Sequence, residues 1–489
     1  MKILLLNPPF KTQYGRFSRT SRSPAITKSG AIYYPFWLAY ATGVLEKAGH
    51  EVKLIDSCAY RLDKKKTYKI AQEFKPKLIV LDTSTPSIYN DVEIGAELKE
   101  ILPESFVVLV GTHPTALPEE TLNLNPKIDA IARYEYDYTL LHLAKVLENS
   151  NFRREDLVEV DGLSFRLGEE IIHNPDRSLI KNLDELPFMT KVYRDHLDIH
   201  KYFFSTSDYP EIQIITGRGC PHRCFFCVYP QTFHKHKYRP RSPENVVDEL
   251  EFIVENFPDV REIGIEDDTF TANKNRTCKI CNLILERKLK IKWYCNARVE
   301  LDLETMRLMK EAGCELLIPG FESGVQEILD NIKKGIKIQQ IEEFVENARK
   351  AGLLIHACFM LGNPGETKKT MEYTLDFAKK LNCDTSQFFP LIVYPGTEAY
   401  RWALENNYLR TQDFSKWLTQ KGNYNYLIDQ PGLPAEEVFK FCERANREYY
   451  LRARYIAYKL KEVISKPSQF RRTVKSFTKF TKYLIQGAK

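Results

Sequence analysis

The sequence predicts an α/β chain: a doubly wound parallel sheet, then a partial (β/α)6 barrel, then a helical, basic C-terminal region. Short apolar strands alternate with helical runs over the first 150 residues, and the alternation resumes after Ile212 as six further strand–helix units. From Leu433 the pattern is helical, with clustered lysines and arginines. At 489 residues the chain exceeds one ordinary domain, and a prior of about 150 residues each suggests about three. The predicted boundaries are 1–150, a connecting segment 151–205, a barrel 206–405 and a C-terminal region 406–489.

In the first domain, residues 3–6 read as a strand, 35–47 as a helix stopped by Gly49, and 52–56, 78–82, 107–110 and 130–132 as further strands. Ligands of such sheets sit outside the carboxyl ends of the strands. Those ends carry Asn7-Pro8-Pro9, Thr83-Ser84-Thr85 and Gly111-Thr112-His113-Pro114-Thr115, small and hydroxyl residues that let a large ligand approach the backbone. The same residue types also serve ordinary tight turns. Residues 161–187 read as short hairpin strands and a connector that sets one domain against the next.

The barrel opens with a strand at 212–216, followed by a cysteine-bearing loop. Ser242 and Pro243 then form an N-cap and first-turn pair, and Val246, Val247, Leu250, Ile253, Val254 and Phe257 give a helix-period apolar face. Strands follow at 262–265, 291–295, 315–318, 355–361 and 387–393. Chemistry in such barrels belongs at the carboxyl ends of the strands. There the sequence places Asp267 and Asp268, Asn296 and Arg298, Glu322 and Ser323, and residues 362–366, which together supply acceptors for an ammonium and cations for a carboxylate.

The cysteine loop reads Gly217-Arg218-Gly219-Cys220-Pro221-His222-Arg223-Cys224-Phe225-Phe226-Cys227. Three thiolates can hold three irons of a 4Fe-4S cluster and leave the fourth iron open for chemistry. Zinc competes for soft thiolates, but a closed zinc site wants four ligands. The nearest extra pair, Cys278 and Cys281, falls in a helical run after Asn273 where a spacing of three suits one packed core face.

The loop resembles the radical S-adenosylmethionine superfamily signature, Cys-x-x-x-Cys-x-aromatic-Cys, with Phe226 as the aromatic. The resemblance implies that S-adenosylmethionine binds the open iron through its amino and carboxylate groups and is cleaved by a cluster electron to a 5'-deoxyadenosyl radical. It also implies that Glu266-Asp267-Asp268-Thr269 stands in the segment that contacts the amino group. Gly320-Phe321-Glu322-Ser323 is similar to the fourth-strand motif, and Lys334-Gly335 to the basic position that reaches the carboxylate. Residues 359–366, with Met360 and Gly362, resemble the turn lining the adenine.

Asn7-Pro8-Pro9, Gly111-x-His113-Pro114-Thr115 and Glu135-x-x-x-Thr139 resemble the Rossmann-like cobalamin-binding domain fused to many radical S-adenosylmethionine enzymes. That implies cobalamin contacts at Asn7, Thr83, Ser84, Gly111, Thr112, His113, Thr115 and Glu135. The chain departs from mutase-type domains, whose Asp-x-His-x-x-Gly histidine ligates cobalt from below: Asp198-Ile199-His200 has the start, but Phe203 replaces the glycine.

Eleven cysteines, an odd number without a regular framework, fit a reducing compartment. The opening apolar run is short for a signal peptide, and no stretch approaches the roughly 18 apolar residues of a membrane span. A cytoplasmic, soluble protein is expected. Net charge is +6, and residues 452–489 hold eleven Lys or Arg against the single acid Glu462. Phe470, Val474, Phe477 and Leu484 fall near one stripe of this tail, which suits either peripheral contact with an anionic membrane or packing on the barrel. No aromatic stacking platform accompanies the basic run, so no nucleic-acid partner is expected.

The leading expectation is a cobalamin-dependent radical S-adenosylmethionine enzyme that methylates an unactivated carbon of a small-molecule or lipid-linked substrate, served by a reductant protein such as flavodoxin or ferredoxin. The alternatives are oxidative ring formation or rearrangement with the same cofactors, and a non-catalytic cofactor-binding protein.

Overall fold

Strand β1 (Lys2–Asn7) is apolar from Ile3 to Leu6, and all four of those side chains are fully buried. A strand covered on both faces is uniformly apolar rather than alternating, which is the mark of a parallel sheet between helical layers. The computed structural model, which describes residues 1–457 apart from positions 21 and 28, bears this out. β2 (Glu51–Asp56), β3 (Leu78–Asp82), β4 (Phe106–Val110) and β5 (Ala130–Ala132) join β1 in parallel, in the order β2-β1-β3-β4-β5. The reversal of direction across β1 and β3 makes the sheet doubly wound.

The predicted hairpin is present as β6 (Leu163–Leu167) and β7 (Glu170–His173). It does more than connect, because β6 pairs antiparallel with β5 and extends the first sheet to seven strands.

The second sheet contains six parallel strands, β8 (Glu211–Ile214), β11 (Glu262–Ile265), β12 (Trp293–Ala297), β13 (Cys314–Glu322), β14 (Leu354–Leu361) and β15 (Thr385–Pro390). They pair in sequence order, each followed by a helical segment, which is a partial barrel. A two-residue ladder, β9 (Gly217–Arg218) against β10 (Arg239–Pro240), closes the cysteine loop. Ser242 caps the helix Pro243–Asn256 by accepting from the Asn245 amide, with Pro243 in the first turn as predicted.

The C-terminal helix Ala435–Tyr450 seals the open edge of the barrel. Its Asn446 and Tyr450 side chains pair with the backbone of Phe388 and Ser386 on β15, covering groups an edge strand would leave unpaired. The predicted apolar stripe of the tail lies outside the described residues. Among the described residues no helix is long and apolar enough to cross a membrane.

The two sheets meet through buried tyrosines. Tyr34 donates to the Glu211 carbonyl at 2.8 Å and stacks on Tyr202, while Tyr40 on the helix Phe36–Lys47 donates to the Ile215 carbonyl at 2.9 Å. The first contact lands at the start of β8 and the second just beyond its end, at the approach to the cysteine loop.

Candidate active site

Gly219 turns the chain from β9 into the cysteine loop at φ +81°, and a side chain there would run into the Lys237 carbonyl of the returning segment. Cys220 and Cys224 are buried and Cys227 is half-buried. The loop is held locally: Gln231 donates to the carbonyls of Phe225 and Cys227, and the Phe225 amide bonds the Ile332 carbonyl at 3.0 Å. Burial pushes the Cys227 thiol up, and the charges of Asp268 and the two other cysteines push the same way. Arg22 acts the other way and is outweighed, and an iron cluster supplies further positive charge on binding. Among the described residues no group of three or more His, Cys, Asp and Glu side chains could hold one metal ion. Of the predicted core pair, Cys281 is fully buried in the core and Cys278 is half-buried.

At the end of β11 three consecutive acids do different work. Asp267 accepts from the Thr216 amide and hydroxyl at 2.5 and 2.6 Å, so both of its oxygens brace the strand leading to the cysteines. Glu266 and Asp268 line a small cavity, and each has one buried carboxylate oxygen without a hydrogen-bond partner. Arg22, from the segment crossing between the sheets, reaches the same place. It donates to Glu266 at 3.3 Å and to the carbonyls of Glu266 and Asp267 at 3.1 and 2.9 Å, with Asp268 at 3.8 Å. Orphaned acceptors around one cation-filled position fit a ligand ammonium.

The remaining barrel residues lie around that point with mixed orientations. Lys334 and Glu322 form a buried pair at 2.7 Å, so the lysine is not a solvated surface charge, and its ammonium lies 5.9 Å from the Phe226 ring. Arg298 donates to Glu300 and to the Lys334 carbonyl. Ser323 bonds Thr374 and the Val325 amide, bracing the turn after β13. Met360 is buried in β14, and the Gly362 carbonyl accepts from Gln430, tying the fifth-strand turn to the C-terminal region.

On the first sheet, Thr83, Ser84, Gly111 and Thr112 line a second cavity. Gly111 sits at φ +124°, where a Cβ would stand 2.6 Å from the Thr83 carbonyl oxygen, so only glycine lets β3 and β4 end this close together. The other predicted cobalamin residues brace the cradle instead of lining it. Asn7 is held between Asp56 and Arg19, and His113 bonds Thr85 at 3.2 Å and packs on Phe414, where burial lowers its pKa to about 3. Thr115 links the Gly111 carbonyl to the Tyr134 amide. Glu135 is saturated by Arg239 and His234, whose hydrogen bonds hold its carboxyl well below the usual range against the opposing effect of burial. His200 is exposed and paired with Asp198, far from any role beneath a corrin ring.

The two cavities share Thr20, Arg22, Trp37 and Tyr229, so these four stand between the glycine-and-hydroxyl cradle and the orphaned carboxylates. None of these four was legible as a site residue: Trp37 and Tyr229 look like core aromatics in their helical runs, and Arg22 lies in a polar stretch without a motif.

Residues 214–378 match the family model described as the Radical SAM superfamily, and residues 22–144 match the B12 binding domain. An uncharacterized methyltransferase of Pyrococcus horikoshii is 33% identical over 457 residues, covering 93% of this chain and 94% of that protein. The chain belongs to the cobalamin-dependent radical SAM methyltransferase family. Its cofactors are a 4Fe-4S cluster, S-adenosylmethionine and cobalamin. The anaerobic magnesium-protoporphyrin IX monomethyl ester cyclase of Cereibacter sphaeroides is 29% identical over 389 residues, 78% of this chain and 62% of that protein. In fold, the chain is similar to the radical S-adenosylmethionine methyltransferase TsrM from Kitasatospora setae, with a TM-score of 0.70 at 18% identity, covering 92% of this chain and 89% of that one. Two features fit these cofactors: the crowded thiols of the loop, and the buried oxygen left without a hydrogen-bond partner on each of Glu266 and Asp268 beside Arg22; at the strand ends Gly111 lets its backbone pass close to Thr83.

Proposed function

We propose that this radical SAM enzyme methylates an unactivated carbon of a small-molecule or lipid-linked substrate held in the cleft between the two sheets. The observation that carries the reading is the shared wall: Thr20, Arg22, Trp37 and Tyr229 border both the cobalamin-side cradle and the carboxylates beside the cysteine loop. When bound, the cluster supplies the electron that splits S-adenosylmethionine and cobalamin carries the methyl group. The protein's share is placement and exclusion of water.

In this reading Cys220, Cys224 and Cys227 hold the cluster. Asp268 and Glu266 accept from the ammonium of S-adenosylmethionine, which requires Arg22 to give up part of its hold on them. The carboxylate faces the side of the site that carries Lys334 and Arg298, while Phe226, Met360 and Gly362 border the nucleoside. Thr83, Ser84, Gly111 and Thr112 take cobalamin at the strand ends. Trp37, Tyr229, Phe233 and Tyr394 supply an aromatic lining that keeps water from the reacting carbon. A reductant protein such as flavodoxin or ferredoxin delivers the electron, and the basic tail makes any peripheral membrane contact.

A second reading, ring formation without methyl transfer, draws support from the likeness to the Cereibacter sphaeroides cyclase. One experiment separates them. Enzyme reconstituted anaerobically is given reductant, methyl-deuterated S-adenosylmethionine and small-molecule extract, and its products are weighed by mass spectrometry. Methylation requires a product gaining one labelled methyl, with both S-adenosylhomocysteine and deoxyadenosine formed. Substrate-dependent deoxyadenosine without S-adenosylhomocysteine contradicts it and favours the ring-forming reading.

A further inference from the structure

The neck of the cysteine loop is gripped by the other domain. The loop leaves the barrel at Arg218 and returns at Arg239, and these two residues face each other in a two-residue ladder. So short a ladder fixes little by itself. Two carboxylates from the turn between β5 and the helix Asp137–Asn149 complete the closure. Asp137 takes both arms of Arg218, at 2.7 and 3.1 Å. Glu135 takes both arms of Arg239, lies 2.9 Å from His234 Nδ1 and stands 3.8 Å from Arg218.

All five side chains are nearly inaccessible, with none above 5% exposed. The Arg218 guanidinium also lies over the rings of Tyr40, at 4.6 Å, and Trp37, at 5.4 Å, on another helix of the first domain. Trp37 in turn walls both cavities. Forked pairs of this kind are geometrically specific, and buried ion pairs are better explained by the arrangement they enforce than by net stability.

The acids are fixed to the cobalamin side with equal care. β5, which leads into their turn, pairs with β4, whose far end carries the Gly111 cradle. Thr115, just beyond the cradle, bonds the Tyr134 amide beside Glu135. A short, buried path thus links the cradle to the neck of the thiol loop.

We infer that Glu135 and Asp137 are positioning residues that set the distance between the iron–sulfur cluster and cobalamin by clamping Arg218 and Arg239 at the neck of the cluster loop. The inference rests on the two-cofactor reading above. The reaction needs both cofactors to address one substrate carbon, and an ångström-scale misplacement costs about a hundredfold in rate.

The test reads the distance itself. Full-length enzyme is loaded with cluster and cobalamin and reduced until both are paramagnetic, and their magnetic interaction is measured by pulsed EPR. Wild type gives one resolved splitting. Glu135→Gln with Asp137→Asn, singly and together, keeps iron and cobalamin loading but loses the resolved splitting, most completely in the double variant. Asp129→Asn, which breaks a comparably buried acid bonded to Lys99 and the Val107 amide within the first domain, leaves the splitting unchanged.

An unchanged splitting in a fully loaded double variant overturns the inference. Loss of iron from the variants also overturns it, since the clamp would then hold the loop's fold rather than its distance. Wild-type protein that fails to load one cofactor overturns the two-cofactor reading instead, so the two failures are distinguishable.

Discussion

The two faces that meet in the cleft are built from opposite chemistries. The first sheet offers Thr83, Ser84, Gly111 and Thr112, neutral groups whose hydroxyls are partly engaged with their own backbone, as Thr83 is with the Val110 carbonyl. The barrel offers thiols, orphaned carboxylates and a buried Lys334–Glu322 pair. In the proposed reading, one side recognises a large ligand by how closely backbone can approach it, and the other recognises a zwitterion by charge. The first should therefore fail when volume is added, and the second when charge is removed.

The largest effect is expected on the neutral side. Gly111→Val adds a β-branched side chain at φ +124°, where Cβ alone would stand 2.6 Å from the Thr83 carbonyl. Backbone strain of about 1–3 kcal/mol adds to that overlap. The purified variant is expected to lose cobalamin while keeping its iron, measured by absorption and metal analysis. Retention of both would mean that the cradle does not hold the corrinoid.

Removing charge on the barrel side gives a smaller, ligand-specific effect. Asp268→Asn keeps shape but weakens a charge-assisted hydrogen bond worth about 1.5–3 kcal/mol, which is about ten- to a hundredfold in affinity. S-adenosylmethionine affinity is expected to fall by that factor with cobalamin binding unchanged. Asp267→Asn makes a contrast: because both Asp267 carboxylate oxygens are engaged by Thr216, its variant should first lower thermal stability.

A last effect, read against pH and without any ligand, sharpens the comparison within the barrel. Glu211, at the opposite end of β8 from the cleft, is fully buried, and its carboxyl is pushed up to about 8 by burial. Its folded pKa lies above the ordinary 4.5, so its contribution to stability is complete below about 4.5 and is lost as pH rises to about 8. Within that window the loss is about 1.4 kcal/mol per pH unit. Thermal unfolding from pH 5 to 8 should show a steeper fall for wild type than for Glu211→Gln, and parallel curves would contradict the assignment.

Much of the fold was legible because its signals are local. The apolar runs of β1, β3 and β4, the six barrel strands and the Ser242-Pro243 helix start all follow from short-range pattern. The thiol triad was legible because its spacing is itself the chemistry. The partners that act across the chain were not. Asp267 and Glu135 read as ligand groups by motif position, yet each is held by residues that sequence distance hides, Thr216 for one and Arg239 with His234 for the other. Arg22 and Trp37 enter the cleft only because the first domain docks beside the cysteine loop, a placement no local pattern encodes.

The most direct test of the account compares wild type with Cys224→Ala after anaerobic reconstitution with iron and sulfide. Iron content and deoxyadenosine formed from S-adenosylmethionine under reduction are read together. The account predicts about four irons per wild-type chain and steady deoxyadenosine formation. The variant should lose both. A variant that keeps its iron and still cleaves S-adenosylmethionine would contradict the claim that these three thiols hold the working cluster.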